Sequence, residues 1–185
     1  MLRPFELVEP TTLEEASAEL RRLGDAAKVY AGGVELLLLL RHQLVDADYL
    51  VNIKRIPNLN AIRWDGQAVR IGATVTHRRM EWDELLRERL PLLADAEKHV
   101  GNVRVRTQGT LGGNLCFADP HADPGTALLV HEARVVIARG ASTRELPLED
   151  FLVGSYTVAL EPDELLTEVI APPLSSQWAT SYLRV

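Results

Sequence analysis

Two glycine pairs are the residues in this sequence whose type and spacing suggest chemistry. One lies in A-G-G-V-E (Ala31, Gly32, Gly33, Val34, Glu35), the other in T-L-G-G-N (Thr110, Leu111, Gly112, Gly113, Asn114). Glycine reaches positive φ and lets another group approach the backbone closely. Two in succession at a strand-to-helix turn can aim successive N–H groups into one concavity. Such a nest, backed by a helix N-terminus, binds phosphate. The first pair has that setting, with a short extended segment before it and a helical pattern after it. The second adds a hydroxyl at Thr110 and an amide at Asn114, both able to bond a phosphate or sugar oxygen. Either pair alone reads first as a turn; two nests in one chain suit a ligand with a pyrophosphate, such as a dinucleotide. Neither run is the Rossmann G-x-G-x-x-G, and no G-K-[ST] of a P-loop follows.

Other reactive side chains point nowhere in particular. His42, His77, His99, His121 and His131 are scattered without metal-ligand spacing. Each reads as a surface or hydrogen-bonded histidine, and only His121, inside A-D-P-H-A-D-P, is placed near the second glycine run. Cys116 is the single cysteine. It can form neither an internal disulfide nor an iron–sulfur cluster, and it reads as a small buried hydrophobe. No acid–base residue is nominated. Trp64, Trp82 and Trp178 are assigned to core packing by default.

The elements that must position the glycine runs follow from periodicity. Thr11 is an N-cap with Glu14 as its capping-box partner. Leu13, Ala16, Leu20 and Leu23 then recur at helical spacing up to Gly24. Residues 28–31 read as a strand, 34–44 as a helix apolar most of the way round and therefore mostly buried, and 49–53 as a strand. This βαβ pattern defines a first subdomain at residues 1–56. Residues 61–64 and 68–71 alternate around Asp65-Gly66 as a hairpin. Helices are expected in residues 76–86 and 91–99. Arg104 and Arg106 alternate with Val103 and Val105 as the solvated face of an extended segment. Asp123-Pro124 marks a helix start, Asp as N-cap and Pro at the first position, with the helix over 127–132. Residues 134–138 and 165–170 read as strands, 148–153 as a short helix, and 181–185 as the start of an extended segment. Mixed elements without regular alternation give an α+β class, with a second subdomain at residues 57–185.

Composition narrows the partners. The 185 residues carry a formal net charge of −6, and 46% are apolar but only 5% aromatic. That balance excludes a basic nucleic-acid face and a polybasic membrane anchor. The longest apolar run, residues 34–40, contains Glu35 and falls far short of the roughly 20 residues that span a bilayer. No signal-peptide pattern opens the chain, so a cytoplasmic protein is expected.

A-G-G-V-E-L, Y-L-V-N-I with R-I-P-N-L, I-G-A-T-V-T-H, R-T-Q-G-T-L-G-G-N and A-D-P-H-A-D-P occur in that order. The ordered set closely resembles the FAD-binding medium subunit of the molybdenum hydroxylases, the family of carbon monoxide dehydrogenase and of the flavin domain of xanthine dehydrogenase. The resemblance implies a p-cresol methylhydroxylase-type fold holding FAD between two α+β subdomains. It implies that Ala31, Gly32, Gly33, Val34 and Glu35, together with Thr110, Leu111, Gly112, Gly113 and Asn114, bind the pyrophosphate and ribityl region. Asp119 and Asp123 match the family's acidic positions after the second loop, and Leu166 matches an aliphatic residue near the isoalloxazine. The implied partners are a small iron–sulfur subunit and a large molybdopterin subunit. Electrons would run from the clusters through FAD to an external acceptor. Arg104 and Arg106 could then meet the iron–sulfur partner or a phosphate.

The chain departs from the family in three ways. Val34 replaces a polar residue and loses a donor. Glu35 sets a carboxylate in the first helical turn, favourable to the helix dipole but repelling a phosphate, so it is expected to face a sugar hydroxyl or solvent. The family's further C-terminal domain has no counterpart in these 185 residues. Two other readings stay open: a non-catalytic nucleotide-binding or regulatory module with the flavin site lost, and an independent flavin oxidase needing no partner.

Overall fold

The computed structural model describes residues 3–183. The chain begins with β1 (Glu6–Val8), α1 (Leu13–Leu23), β2 (Ala27–Tyr30), α2 (Val34–Arg41) and β3 (Tyr49–Asn52). The hairpin β4 (Ile62–Trp64) and β5 (Val69–Gly72) follows, then six helices: α3 (His77–Trp82), α4 (Glu84–Arg89), α5 (Pro91–His99), α6 (Val103–Gln108), α7 (Leu111–Phe117) and α8 (Asp123–Val130). The chain continues with β6 (Arg134–Arg139), β7 (Ser142–Pro147), α9 (Leu148–Phe151), β8 (Leu152–Gly154), β9 (Thr157–Val158) and β10 (Leu165–Ala171).

Two main sheets organise these elements. The first is parallel, in the order β1-β3-β2. The second is antiparallel, in the order β4-β5-β10-β6-β7. Helices α3, α4, α5, α7, α8 and α9 bury Met80, Leu86, Leu93, Leu111, Leu115, Leu128 and Phe151 against Ile71, Val135, Ile137 and Val169 of the second sheet. A smaller core joins Ala16 and Leu20 of α1 to Ala27 and Val51 of the first sheet, and Leu165 of β10 belongs to it. The Gly140 N–H donates to Ser17 Oγ at 2.8 Å, and Arg21 of α1 pairs with Asp163 at 2.9 Å, so α1 is tied to the second sheet as well.

Local chemistry moves several boundaries. The capping box of α1 is shifted by one residue. Thr12, not Thr11, is the N-cap: its hydroxyl accepts from Glu15 N, and Glu15 accepts in return from Thr11 N at 2.8 Å. With two adjacent threonines, either could cap, and the one three residues before the reaching glutamate does. The helix expected over 76–86 is two, because Asp83 leaves the helical region and its carboxylate caps α4 by accepting from Leu86 N. The segment around Arg104 and Arg106 is helical, not extended. Asn102 Oδ1 accepts from Arg104 N and Val105 N and starts α6. Arg106 is then turned inward, bonding Glu81 at 3.0 Å and the Val100 carbonyl at 3.1 Å. Asp123 is the first residue of α8 rather than its cap, which is Ala122.

Helix α2 ends at Arg41, and only Leu40 is buried in it. Its all-round apolarity does not reflect all-round burial, since one side packs on Leu50 and Ala47 while Leu36 and Leu39 face an open cleft. Two of the three tryptophans are also outside the core. Trp178 is 72% exposed. Trp82 is 56% exposed and lies between the guanidinium groups of Arg78 and Arg87, at 5.0 and 4.8 Å from its ring. Trp64 packs partly against the larger core. Strand β7 is mostly exposed, and its pairing with β6 sets it rather than apolar alternation. Residues 181–183 form no strand, and the rest of the extended segment expected there, residues 184–185, lies outside the described residues.

His131 is buried, with Nδ1 donating to the Pro172 carbonyl at 3.0 Å and Nε2 without a partner. Burial holds its proton affinity below the ordinary imidazole value. A depressed folded value means the unfolded chain binds the proton more readily, so stability falls as pH drops below about 6.5. The loss of unfolding free energy between about pH 7.5 and about pH 5.5 is expected to shrink in a His131→Gln variant. Urea denaturation at both pH values measures it, and identical losses in the two proteins would remove His131 as the cause.

Candidate functional site

The two glycine runs meet. An ideal Cβ on Gly32 would lie 2.3 Å from the Gln108 carbonyl oxygen and 2.9 Å from Gly109 Cα. The turn after β2 therefore rests directly on the backbone that leads into α7. Gly33 is the N-cap of α2 at φ 75°, in the left-handed region that favours glycine. No side chain caps α2. Its first N–H groups, Val34 to Leu36, open at the wall of a cleft of about 610 Å³ between the two sheets. That volume is within the roughly 300–1,000 Å³ of small-molecule sites.

Twelve of the thirteen residues singled out in the sequence line this cleft: Ala31, Gly32, Gly33, Val34, Glu35, Thr110, Gly112, Gly113, Asn114, Asp119, Asp123 and Leu166. Leu111 does not. Its side chain is fully buried in the larger core and its N–H donates to the Val75 carbonyl. It sits on the inward face of α7, one residue from the cleft-facing side.

The second run is not a nest, and it ends no strand. It begins helix α7, and the N–H groups from Leu111 to Asn114 are already bonded. Leu111 N donates to Val75 O, Gly112 N to Ala73 O, Gly113 N to Thr110 Oγ1 and Asn114 N to Thr110 O. What it offers the cleft is side-chain chemistry. Thr110 Oγ1 accepts as the cap of α7 and still has a proton to donate. Asn114 Oδ1 is buried without a partner. A buried acceptor without a donor is rare and marks a place a ligand donor would fill. Above Gly113 the cleft is open, since an added Cβ would meet only Thr110 Oγ1 within 4 Å.

Four carboxylates, Glu35, Asp119, Asp123 and Glu164, also line the cleft. Asp119 accepts from His121 N at 2.9 Å, which with the His121 ring holds its carboxyl below the usual range. Asp123 accepts from the Tyr182 hydroxyl. Glu164 is held by Arg144 at 2.7 Å. Burial pushes the Cys116 thiol up to about 12, so it lines the cleft as an inert group. His77, Val105 and Gly109 also line the cleft and were not assigned to it from the sequence. The inward turn of α6 that brings Val105 there has its signal in the Asn102 cap.

Residues 3–174 match the family described as the FAD binding domain in molybdopterin dehydrogenase. The chain belongs to this family. The carbon monoxide dehydrogenase medium chain of Hydrogenophaga pseudoflava is 34% identical over 182 residues, which are 97% of this chain and 63% of that one. A solved carbon monoxide dehydrogenase from the same organism, lacking the Mo-pyranopterin moiety of its cofactor, superposes with a TM-score of 0.93 over all of this chain and 65% of its own. Quinoline 2-oxidoreductase from Pseudomonas putida 86 gives 0.91 at 32% identity, over 95% of this chain and 61% of that one. The chain thus spans less than two thirds of the relatives it matches. FAD is the cofactor that membership of this FAD-binding family indicates. The cleft fits it: an uncapped helix N-terminus can face phosphate, and the unpartnered Asn114 Oδ1 calls for a donor such as a sugar hydroxyl or a ring N–H. Among the described residues, no helix is long and apolar enough to cross a membrane, and no group of three or more His, Cys, Asp or Glu could hold a metal ion.

Proposed function

We propose that this chain is the FAD-binding subunit of a molybdenum-containing hydroxylase or dehydrogenase. In this reading, electrons pass from iron–sulfur clusters on a small partner subunit to an external acceptor, and the molybdopterin centre belongs to a large partner subunit. The observation that carries it is the convergence of both glycine runs on one cleft in a member of an FAD-binding family. The substrate is set on the large partner subunit. The work is placed in the cytoplasm, where a free thiol such as Cys116 stays reduced.

Bound FAD supplies the electron-transfer chemistry, and the protein supplies binding, orientation and electrostatics. The N–H groups of Val34 to Leu36 hold the pyrophosphate, so Val34 needs no side-chain donor. Thr110 donates its hydroxyl proton to a phosphate oxygen. Asn114 accepts from the cofactor through Oδ1. Asp119, Asp123 and Leu166, which line the same cleft, would contact the flavin portion, with Leu166 supplying an apolar surface that excludes water. Residues 1–56 and 57–185 form the two walls that close on it.

The test is a visible spectrum of the chain after FAD addition and gel filtration, followed by dithionite. A flavin band that co-elutes and bleaches supports the reading. A folded chain that releases all FAD, alone and with an iron–sulfur partner, overturns it in favour of a non-catalytic module.

A further inference from the structure

The cleft has an unusual charge balance for a pyrophosphate site. Among the described residues lining it there is no lysine or arginine, while Glu35, Asp119, Asp123 and Glu164 contribute four carboxylates. The N-termini of α2, α7 and α8, which all line the cleft, offer only partial positive charge. The other candidates for positive charge are two histidines. His121 is held at Asp119, with its side chain 90% exposed. His77 is 2% exposed, and its Nδ1 lies 2.7 Å from Oε2 of Glu97, which is fully buried.

His77 is fixed from several sides. It is the first residue of α3, and its N–H donates to the Gly109 carbonyl at 3.1 Å. With Nδ1 on Glu97, Nε2 lies on the side of Gly109, whose missing Cβ would sit 3.3 Å from it. Both His77 and Gly109 line the cleft. Glu97 keeps a second oxygen, Oε1, buried without a partner. Its proton affinity is raised by burial, with Asp123 and Glu81 adding to the rise and His77 opposing it. Glu81 is itself bonded by Arg78 and Arg106, and Asp123 accepts from Tyr182, whose ring packs on His99. A buried carboxylate with an unpartnered oxygen is a place where an added proton is stabilised.

Resting on the FAD reading above, we propose that the His77–Glu97 pair takes up a proton when the cofactor's pyrophosphate enters, making His77 the cation of the cleft. In the balanced step, FAD and one solvent proton bind together. The ring then carries hydrogens on both nitrogens, Nδ1–H donating to Glu97 and Nε2–H on the cleft side. No covalent bond changes and no electron moves. The alternative is a neutral pair that only staples α3 to α5. It predicts loss of stability on mutation but no proton linked to binding.

The experiment is calorimetric titration of FAD into the chain in two buffers of different ionisation enthalpy, with affinity followed from about pH 6 to about pH 8, where imidazoles titrate. The expected result is net proton uptake and an affinity that weakens about tenfold over that range. His77→Gln, which can still bond Glu97 but does not titrate, should abolish the uptake and flatten the profile. His42→Gln, at an exposed position outside the cleft, should leave both unchanged. If His77→Gln fails to fold by circular dichroism, Glu97→Gln carries the test, since removing the carboxylate should move the affinity profile to lower pH. Uptake that is absent in the parent, or undiminished in these variants, overturns the proposal while FAD binding stands. No FAD binding by the folded parent at any pH overturns both readings.

Discussion

Gly32→Ala is expected to loosen the fold and weaken FAD binding together. The new Cβ would lie 2.3 Å from the Gln108 carbonyl oxygen and 2.9 Å from Gly109 Cα. Both are backbone atoms, so no side chain can rotate away, and the turn after β2 must separate from the start of α7. Overpacking of this kind costs about 1–3 kcal/mol. A chain of this size then loses about 2–4 °C of melting temperature per kcal/mol. The displaced turn carries the uncapped N–H groups of α2, so cofactor affinity falls with stability. Thermal denaturation with and without FAD measures both. A melting temperature unchanged to within about 1 °C would mean that the two runs do not touch.

Gly113→Val should separate the same two properties. Its Cβ would meet Thr110 Oγ1 at 2.9 Å and nothing else within 4 Å. The hydroxyl can turn aside at the cost of the α7 cap, about 1 kcal/mol. Replacing a helical glycine by valine returns a few tenths of that. The fold is therefore retained while the isopropyl group fills the space above α7. FAD affinity is expected to fall about 100-fold, equivalent to about 2.7 kcal/mol. Flavin fluorescence quenching and circular dichroism on the same sample check it. Undiminished affinity in a folded variant would move the cofactor away from this wall.

The two substitutions differ because the two glycine pairs do different things. The first is a turn with a left-handed residue and a bare helix N-terminus, as an anion site requires. The second lies within the first turn of a helix where the N–H groups of Leu111 to Asn114 are bonded, so its glycines are there for room and not for donors. In the proposal, the charge the phosphates need comes from His77, which lines the cleft, is buried and is held at Nδ1 by Glu97.

Much of this was legible in the sequence. The ordered motifs named the family, and the turn chemistry of A-G-G-V-E and D-G placed β2, α2 and β3 and the hairpin but not β1, because glycine and capping residues act within a few residues of themselves. Local pattern failed where two readings were nearly equal. V-R-V-R alternates over four residues only, and a cap at Asn102 outweighed it. The apolar length of α2 reads as full burial, yet one of its sides faces the cleft. What only the tertiary structure decided is which groups remain unbonded once the chain is packed. The Leu111 side chain is consumed by the core, and the N–H groups of Leu111 to Asn114 by Val75, Ala73 and Thr110, whereas Asn114 Oδ1 is left without a donor. The pairing of His77 with Glu97, twenty residues apart on different helices, is likewise a product of packing. Sequence sets what each residue can bond; only the fold sets which of those bonds are already taken.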